Sequence, residues 1–384
     1  MTTTTTMRRT ILLGPGAALL AAPGIAAAQS RDPIRVGAFG PYSGNAAAFG
    51  ASMKEAIELV TEQRNRAGGI MGRRIEVVWG DDAGRPEEAA NLARRFATRD
   101  RVAIALGSVS SPASLAAAQV LRDEEVPQIT ISATAQRITR QGNEWVFRSA
   151  VPDRKLVGDM VEFIAEKFPN HRKFGFLYVN DDFGKGGFDS FVEFGRAKGF
   201  TITAEERYSR GDIDFTAQLS RIRASAPDAL VEWSRYAEGA LVARQVRQMQ
   251  LPLQIYGSDG LAPPAYLELA GEAANGVIYC THYSPATASG AVAERFMAEI
   301  RAAYNKPGDM THAQAYDAAT IACAAIERAR SADRKAIRDA LRQTDFESVR
   351  GPFKYDQYGD PTLMTHMVRI AGGRETNARA AAAG

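Results

Sequence analysis

Apolar and polar positions along the first two-thirds of the chain change period repeatedly. Short apolar runs fall at residues 34–39, 75–79, 102–106 and 128–131, and again at 174–179, 201–204 and 230–233. Each has the length and composition of a buried strand. Between them, apolar residues recur at three- and four-residue spacing, which predicts helices over about 50–67, 87–98, from Ser111 onward, then 187–198, 215–224 and 238–248. The punctuation agrees. Gly68 and Gly69 close the first helix, and Pro86 followed by Glu87 and Glu88 opens the second. Strands alternating with helices imply parallel sheets covered on both faces. The two runs therefore predict an α/β fold of two doubly wound parallel-sheet lobes.

The N-terminus departs from this rhythm. Met7-Arg8-Arg9 is a short basic start, and the apolar stretch 11–27 is interrupted by Gly14, Pro15, Gly16, Pro23 and Gly24. Ala26-Ala27-Ala28 then offers an A-x-A exit. This is the grammar of a secretory signal peptide, expected to span residues 1–28 with cleavage near Ala28, rather than of a membrane anchor. Arg8-Arg9-Thr10-Ile11-Leu12 also fits a twin-arginine signal, so the export route stays open. The expected location is the periplasm.

Composition narrows the function. The 384 residues carry a net charge of +3, which falls to +1 without Arg8 and Arg9. That is no basis for nucleic-acid binding. Cys280 and Cys323 are the only cysteines, and an exported chain could pair them or bury both as thiols. The four histidines, His171, His282, His312 and His366, lack metal-ligand spacing. No H-E-x-x-H, C-x-x-C, G-x-S-x-G or P-loop occurs. Asp81-Asp82 and Asp181-Asp182 are adjacent pairs whose side chains diverge along a strand. The expectation is a non-enzymatic protein without cofactor or metal.

The positive signal lies at strand ends, where open parallel sheets bind ligands. Gly107 to Pro112 is such an end. Ser111 reads as an N-cap with Pro112 at the first helical position, a helix start suited to an anion, although a serine there can serve only to cap its helix.

A wider set of motifs carries a resemblance. These are Gly40-Pro41-Tyr42-Ser43-Gly44 with Ala48-Phe49-Gly50, Ala67 to Arg73, Gly80 to Pro86, and Gly107-Ser108 to Ser111. Ala133-Thr134-Ala135 with Thr139, Asp182-Phe183-Gly184, and Gly351-Pro352-Phe353 with Tyr355-Asp356 and Gly359-Asp360 complete it. In order and spacing, from about Pro33 to about Gly372, they resemble the leucine/isoleucine/valine-binding protein family of periplasmic receptors. The resemblance implies the periplasmic-binding-protein type I fold, with three crossovers near Val151, His282 and Gly351. Lobe 1 would then comprise 29–151 and 283–350, lobe 2 152–282 and 351–373, with a disordered tail over 374–384.

The resemblance also implies a site. Ser111 would bind a carboxylate, with Ser132 and Thr134 orienting the polar head group; Thr134 could instead stabilise its turn. Phe49 would form an aromatic wall or pack in the core. Phe183 stands where the family often has tyrosine, which makes that wall drier. Tyr236 would contact ligand, and Asp259 would pair with an α-ammonium; an aspartate beside glycines is otherwise a turn former. Trp233, Arg235 and Tyr316 are further candidates: Arg235 because a guanidinium pairs bidentately with carboxylates, Tyr316 as a lid on the side-chain pocket or as core. The implied function is the solute-binding component of an ABC importer. It is expected to act as a monomer with a membrane permease as partner, and to close by a hinge on a small carboxylate ligand, foremost a branched-chain or other apolar amino acid. An aromatic acid or amide as ligand, a ligand sensor serving a signalling partner, and an exported enzyme on the same scaffold are the alternatives.

Overall fold

The computed structural model describes residues 1–6 and 32–380. Residues 7–31, which hold most of the expected signal segment, and residues 381–384 lie outside them. From Asp32 on, the chain folds around two sheets. The first contains β1 (Ile34–Gly40), β2 (Ile75–Asp81), β3 (Ile104–Leu106), β4 (Gln128–Thr130) and β5 (Val146–Arg148), all parallel in the order β2-β1-β3-β4-β5. Its helices are α1 (Ala47–Arg66), α2 (Pro86–Thr98) and α3 (Ser111–Asp123). Residues 149–152 then lead to α4 (Asp153–Lys167) and a second parallel run: β6 (Lys173–Val179), α5 (Asp182–Ala197), β7 (Thr201–Tyr208), α6 (Thr216–Ala224), β8 (Ala229–Trp233), α7 (Tyr236–Gln248), β9 (Gln254–Gly257), α8 (Ala265–Ala270) and β10 (Ile278–Thr281). These strands lie in the order β7-β6-β8-β9-β10, the same winding as the first sheet. In each sheet the order reverses beside its first strand, and a crevice opens there at the carboxyl ends.

After β10 the chain returns to the first lobe as α9 (Ala291–Tyr304), α10 (Met310–Ala329) and α11 (Arg334–Leu341). Tyr304 donates its hydroxyl to the Glu55 carbonyl at 2.8 Å, and Arg64 meets Glu327 at 2.9 Å. A hairpin follows, β11 (Asp345–Ser348) and β12 (Gly351–Lys354), before β13 (His366–Ala371) and β14 (Arg374–Asn377) extend the second sheet antiparallel beyond β10. Two expectations change here. The last passage between lobes falls after Gly351, because Phe353 packs on Tyr355 and Tyr355 on Phe147 of the first sheet. The segment from 374 is no loose tail up to Asn377, because β14 completes a ladder with β13.

Helix starts also shift. α1 and α7 begin three and two residues before the expected positions, and α5 begins at Asp182 rather than 187. The glycines of Asp182-Phe183-Gly184-Lys185-Gly186-Gly187 read as loop, but Asp181 caps the helix and Gly184 lies where a Cβ would sit 1.9 Å from the Val179 carbonyl oxygen. Close approach to β6, not flexibility, explains that glycine. Cys280 on β10 and Cys323 on α10 are buried, unpaired thiols.

Two buried arginines fix the passages between lobes. Arg148, fully buried at the end of β5, donates to Asp360 at 2.8 Å, to Thr139 at 2.8 Å and to the carbonyls of Ala133 and Ala135. Arg350 pairs with Asp317 at 2.8 Å and donates to both oxygens of Ser149. A third buried cluster docks α10 on α1. Asp309 caps α10 and accepts from Ser52 at 2.6 Å, while His312 lies 2.8 Å from Glu55 and 2.9 Å from Asp309. Burial opposes its charge, but Asp309 and Glu55 prevail and raise the His312 imidazolium to about 9; Asp309 is lowered against its own burial by the same pair.

Two predictions follow from these clusters. Asp360→Ala leaves the Arg148 charge buried without its carboxylate and is expected to lower unfolding free energy by about 3–5 kcal/mol, read from the urea midpoint; an unchanged midpoint would show that Arg148 is solvated elsewhere. The folded state holds its proton on His312 more tightly than the unfolded chain. That contribution is complete below the ordinary histidine value of 6.5 and is lost as pH rises through about 9. Thermal stability should decline across that interval, by at most about 1.4 kcal/mol per pH unit from this group, and the decline should flatten in His312→Gln.

Candidate functional site

The switch points of the two sheets face each other, and the residues just beyond them form one cavity. From the first lobe come Phe49 in α1, Val109 and Ser111 after β3, Ser132 after β4, and Met310 at the start of α10; from the second, Phe183 after β6, Arg235 after β8, and Asp259 and Gly260 after β9. The cavity is narrow, with little of it wide enough for a water molecule's centre.

In the first lobe, Gly107 lets the β3–α3 turn press against β1. Its φ is +137°, and a Cβ there would sit 2.0 Å from the Phe39 carbonyl oxygen. Helix α3 starts one residue earlier than the sequence suggested. Ser110, extended at φ −74° and ψ 129°, is the N-cap, and its carbonyl accepts from Ser114 at 2.8 Å. Ser111 is therefore the first helical residue, and its Oγ accepts from the Ala135 amide at 3.3 Å. The electropositive first turn of α3 still faces the cavity through Ser111. Ser132 Oγ touches the Gln314 amide, so α10 contributes both Met310 and, one turn on, the support behind Ser132.

In the second lobe, one carboxylate organises the wall. Asp181 Oδ1 accepts from the amides of Phe183 and Gly184 at 3.0 and 3.1 Å, and Oδ2 meets Arg235 at 3.1 Å and Arg210 at 3.2 Å. Burial pushes its pKa up, but the Arg235 charge, the Gly184 amide and Arg210 hold it below the ordinary carboxylate value. The Arg235 guanidinium also lies 5.0 Å from the centre of the Phe183 ring. Asp259 differs. It is 3% exposed, and burial together with the nearby Asp153 raises its pKa well above 3.8, despite the opposing charge of Arg235.

The lobes touch around the cavity. Arg210, on the second lobe, donates to the Gly84 carbonyl at 2.6 Å and to Ser110 Oγ at 3.3 Å. Arg137 meets Asp182 at 2.7 Å, and the Ala48 amide donates to the Tyr236 hydroxyl at 3.2 Å.

Six of the residues singled out in the sequence thus share the cavity: Phe49, Ser111, Ser132, Phe183, Arg235 and Asp259. Four do not line it. Tyr236 stands behind Phe49, with ring centres 5.4 Å apart. Thr134 is buried, and its carbonyl accepts from Asp153 at 2.9 Å. Trp233 is fully buried and donates its indole N–H to Asp153 at 3.2 Å. Tyr316 points elsewhere, its hydroxyl donating to Glu299 at 2.9 Å and its ring lying 5.3 Å from Phe296. Val109, Gly260 and Met310 were not foreseen. They contribute apolar surface and backbone, which carry no chemical flag in a sequence. Asp181 and Arg210 were also missed as organisers of the wall, since their roles depend on partners far away in the chain.

A family model described as periplasmic binding protein matches residues 33–374. The chain is 30% identical over 333 residues to the Leu/Ile/Val-binding protein BraC3 of Rhizobium johnstonii, covering 86% of this chain and 89% of that one. Among solved structures it superposes on the leucine-binding protein LivK of Thermotoga maritima with a TM-score of 0.84 and 29% identity, over 90% of this chain and 97% of that one. A solute-binding protein of an ABC transporter from R. palustris, solved with benzoate, shares the fold at a TM-score of 0.84 and 23% identity, over 90% of this chain and 95% of that one.

Proposed function

The chain belongs to the periplasmic binding protein family, and on that premise we propose that it is the extracytoplasmic receptor of an ABC importer that captures an apolar α-amino acid between its lobes. The observation that carries this reading is Asp259. A buried carboxyl whose ionised form is disfavoured by burial and by Asp153 gains most from a cationic partner. Arg235, the nearest cation of the wall, is already engaged by Asp181. An α-ammonium supplies the missing charge. The ligand carboxylate then lies against Ser111, Ser132 and the first turn of α3, and its side chain against Phe49, Val109, Phe183 and Met310. The relatives named for leucine, isoleucine and valine support an apolar amino acid as the ligand. A monomer delivering this ligand to a membrane permease completes the reading.

The mechanism we propose is hinge closure. The lobes approach through the 149–152, 282–290 and 355–365 segments, and Arg210 spans the gap once they meet. Its contacts to Gly84 and Ser110 exist only while the cleft is shut, so they slow ligand escape more than they speed entry.

A second reading has its own observation. Phe49 and Phe183 are two aromatic walls, and Arg235 lies at the ring of one of them. A protonated Asp259 would leave room for an aromatic acid between those rings, and a relative of the same fold was solved with benzoate.

Thermal shift and calorimetry against leucine, isoleucine, valine, phenylalanine, benzoate and 4-hydroxybenzoate separate the two. We expect binding of an apolar amino acid, raised thermal stability by mass action, and a loss of about 30-fold or more in Asp259→Ala, the scale of removing one partner of a buried charge pair. Benzoate binding unaffected by Asp259→Ala would replace the first reading with the second. Arg210→Ala should accelerate dissociation about tenfold with little change in association, measured by stopped flow; a purely slower association would remove Arg210 from the closed state.

A further inference from the structure

Behind Ser132 runs a buried chain of three side chains that ends at a passage between the lobes. Ser132 Oγ touches one end of the Gln314 amide, and His282 Nε2 touches the other. Gln314 and His282 are both fully buried. Gln314 is pinned from its backbone, whose carbonyl accepts from Ser149 Oγ at 2.8 Å. His282 directly follows β10. Burial and the neighbouring charge of Arg350 depress its pKa well below 6.5, so the ring is neutral and carries a single N–H.

That single hydrogen decides which way the chain runs. As placed, Gln314 turns Oε1 to Ser132 and Nε2 to His282. In that order Ser132 donates to Gln314, Gln314 donates to His282 Nε2, and the ring hydrogen is left on Nδ1. His282 Nδ1 is buried and has no hydrogen-bond partner. A buried N–H without an acceptor is rare and costly. Turning the amide over by 180°, which keeps its shape, exchanges that orphan N–H for an unpaired acceptor. His282 then donates from Nε2 to Gln314 Oε1, and Gln314 donates from Nε2 to Ser132 Oγ. Nδ1 becomes a bare lone pair, which suits the positive charge of Arg350 better than an N–H does. Ser132, already accepting from Gln314, has its own hydrogen free for the cavity.

We propose that Gln314 and His282 are positioning residues that direct the Ser132 hydroxyl hydrogen into the cavity, making Ser132 a donor to the anionic group of the ligand. The proposal rests on the receptor reading for its ligand, but not for the direction of the chain. It gives the first lobe two cavity-lining hydroxyls with the same duty. Ser111 Oγ accepts from the Ala135 amide, and Ser132 accepts from Gln314, so each hydroxyl is turned outward by a fixed donor behind it. A carboxylate meets two hydroxyl hydrogens, whereas a ligand presenting a donor there is left with only the second lone pair of each oxygen.

The direction can be read without any ligand. In the purified protein labelled with ¹⁵N-histidine, long-range ¹H–¹⁵N correlation distinguishes a protonated ring nitrogen from a bare one, and His282→Asn identifies the signal. We expect a neutral His282 protonated at Nε2. Protonation at Nδ1, or a doubly protonated ring, overturns the proposal. A second arm uses leucine and a double-mutant cycle. Gln314→Glu places a carboxylate that accepts from both neighbours and turns the Ser132 hydrogen away from the cavity. Ser132→Ala should therefore weaken leucine binding roughly tenfold or more in the native background, the scale of a hydrogen bond to a charged group, and hardly at all in Gln314→Glu. Equal losses in both backgrounds overturn the relay. Failure of leucine or any other tested carboxylate to bind counts against the receptor reading alone, since the histidine spectrum still decides the direction.

Discussion

The geometry of the cleft depends on charges buried where the chain passes between lobes. Arg148 ends β5 and holds Asp360, over two hundred residues later, while Arg350 holds Asp317 and reaches both oxygens of Ser149. Each guanidinium satisfies several acceptors at once, which is the condition under which a buried ion pair is tolerable. Neither is an argument for great stability, because apolar residues of similar volume often do as well. Their effect is positional. They fix the first and last passages against the rim of the first sheet.

The same economy of charge recurs at the cavity. Asp181 satisfies the start of α5 with one oxygen and two arginines with the other, so one carboxylate orients Phe183, Arg235 and Arg210 together. Asp153 joins the two regions. It is fully buried, its pKa is raised to about 7 by burial although Thr134, Arg148 and Trp233 oppose this, and it in turn raises Asp259. The cavity therefore senses the buried charges behind it. On the amino-acid reading proposed above, an α-ammonium beside Asp259 would offset the penalty that burial and Asp153 impose.

Much of this was legible in the sequence, and the reason is periodicity. The strands at 34–40, 75–81 and 173–179 and the helices around 86–98 follow from apolar spacing and from Pro and Gly punctuation, which are local. Where local signals conflict with packing, the reading slipped. The glycine-rich 182–187 segment is helix because Gly184 must lie against β6, and Ser110 rather than Ser111 caps α3 because the chain turns helical one residue sooner. Tyr316 illustrates the opposite slip. It was read as a lid on the pocket or as core, but which face of its helix meets Phe296 and which meets the cavity depends on how α10 seats against α1.

By itself, then, the chain determined two doubly wound lobes, a set of strand ends rich in hydroxyl and carboxylate groups, and a family resemblance carried by the spacing of those ends. These are properties of neighbours in sequence, where backbone period and turn chemistry act over a few residues. Only the tertiary structure decided which strand ends converge, that Met310 and Val109 complete the apolar wall, that Asp181 serves two arginines, and that Gln314 links Ser132 to His282. Those pairings join residues 29 to 182 positions apart, as in Asp181 with Arg210 and Ser132 with Gln314, and they form because burial leaves each polar group few partners but the one the fold brings to it.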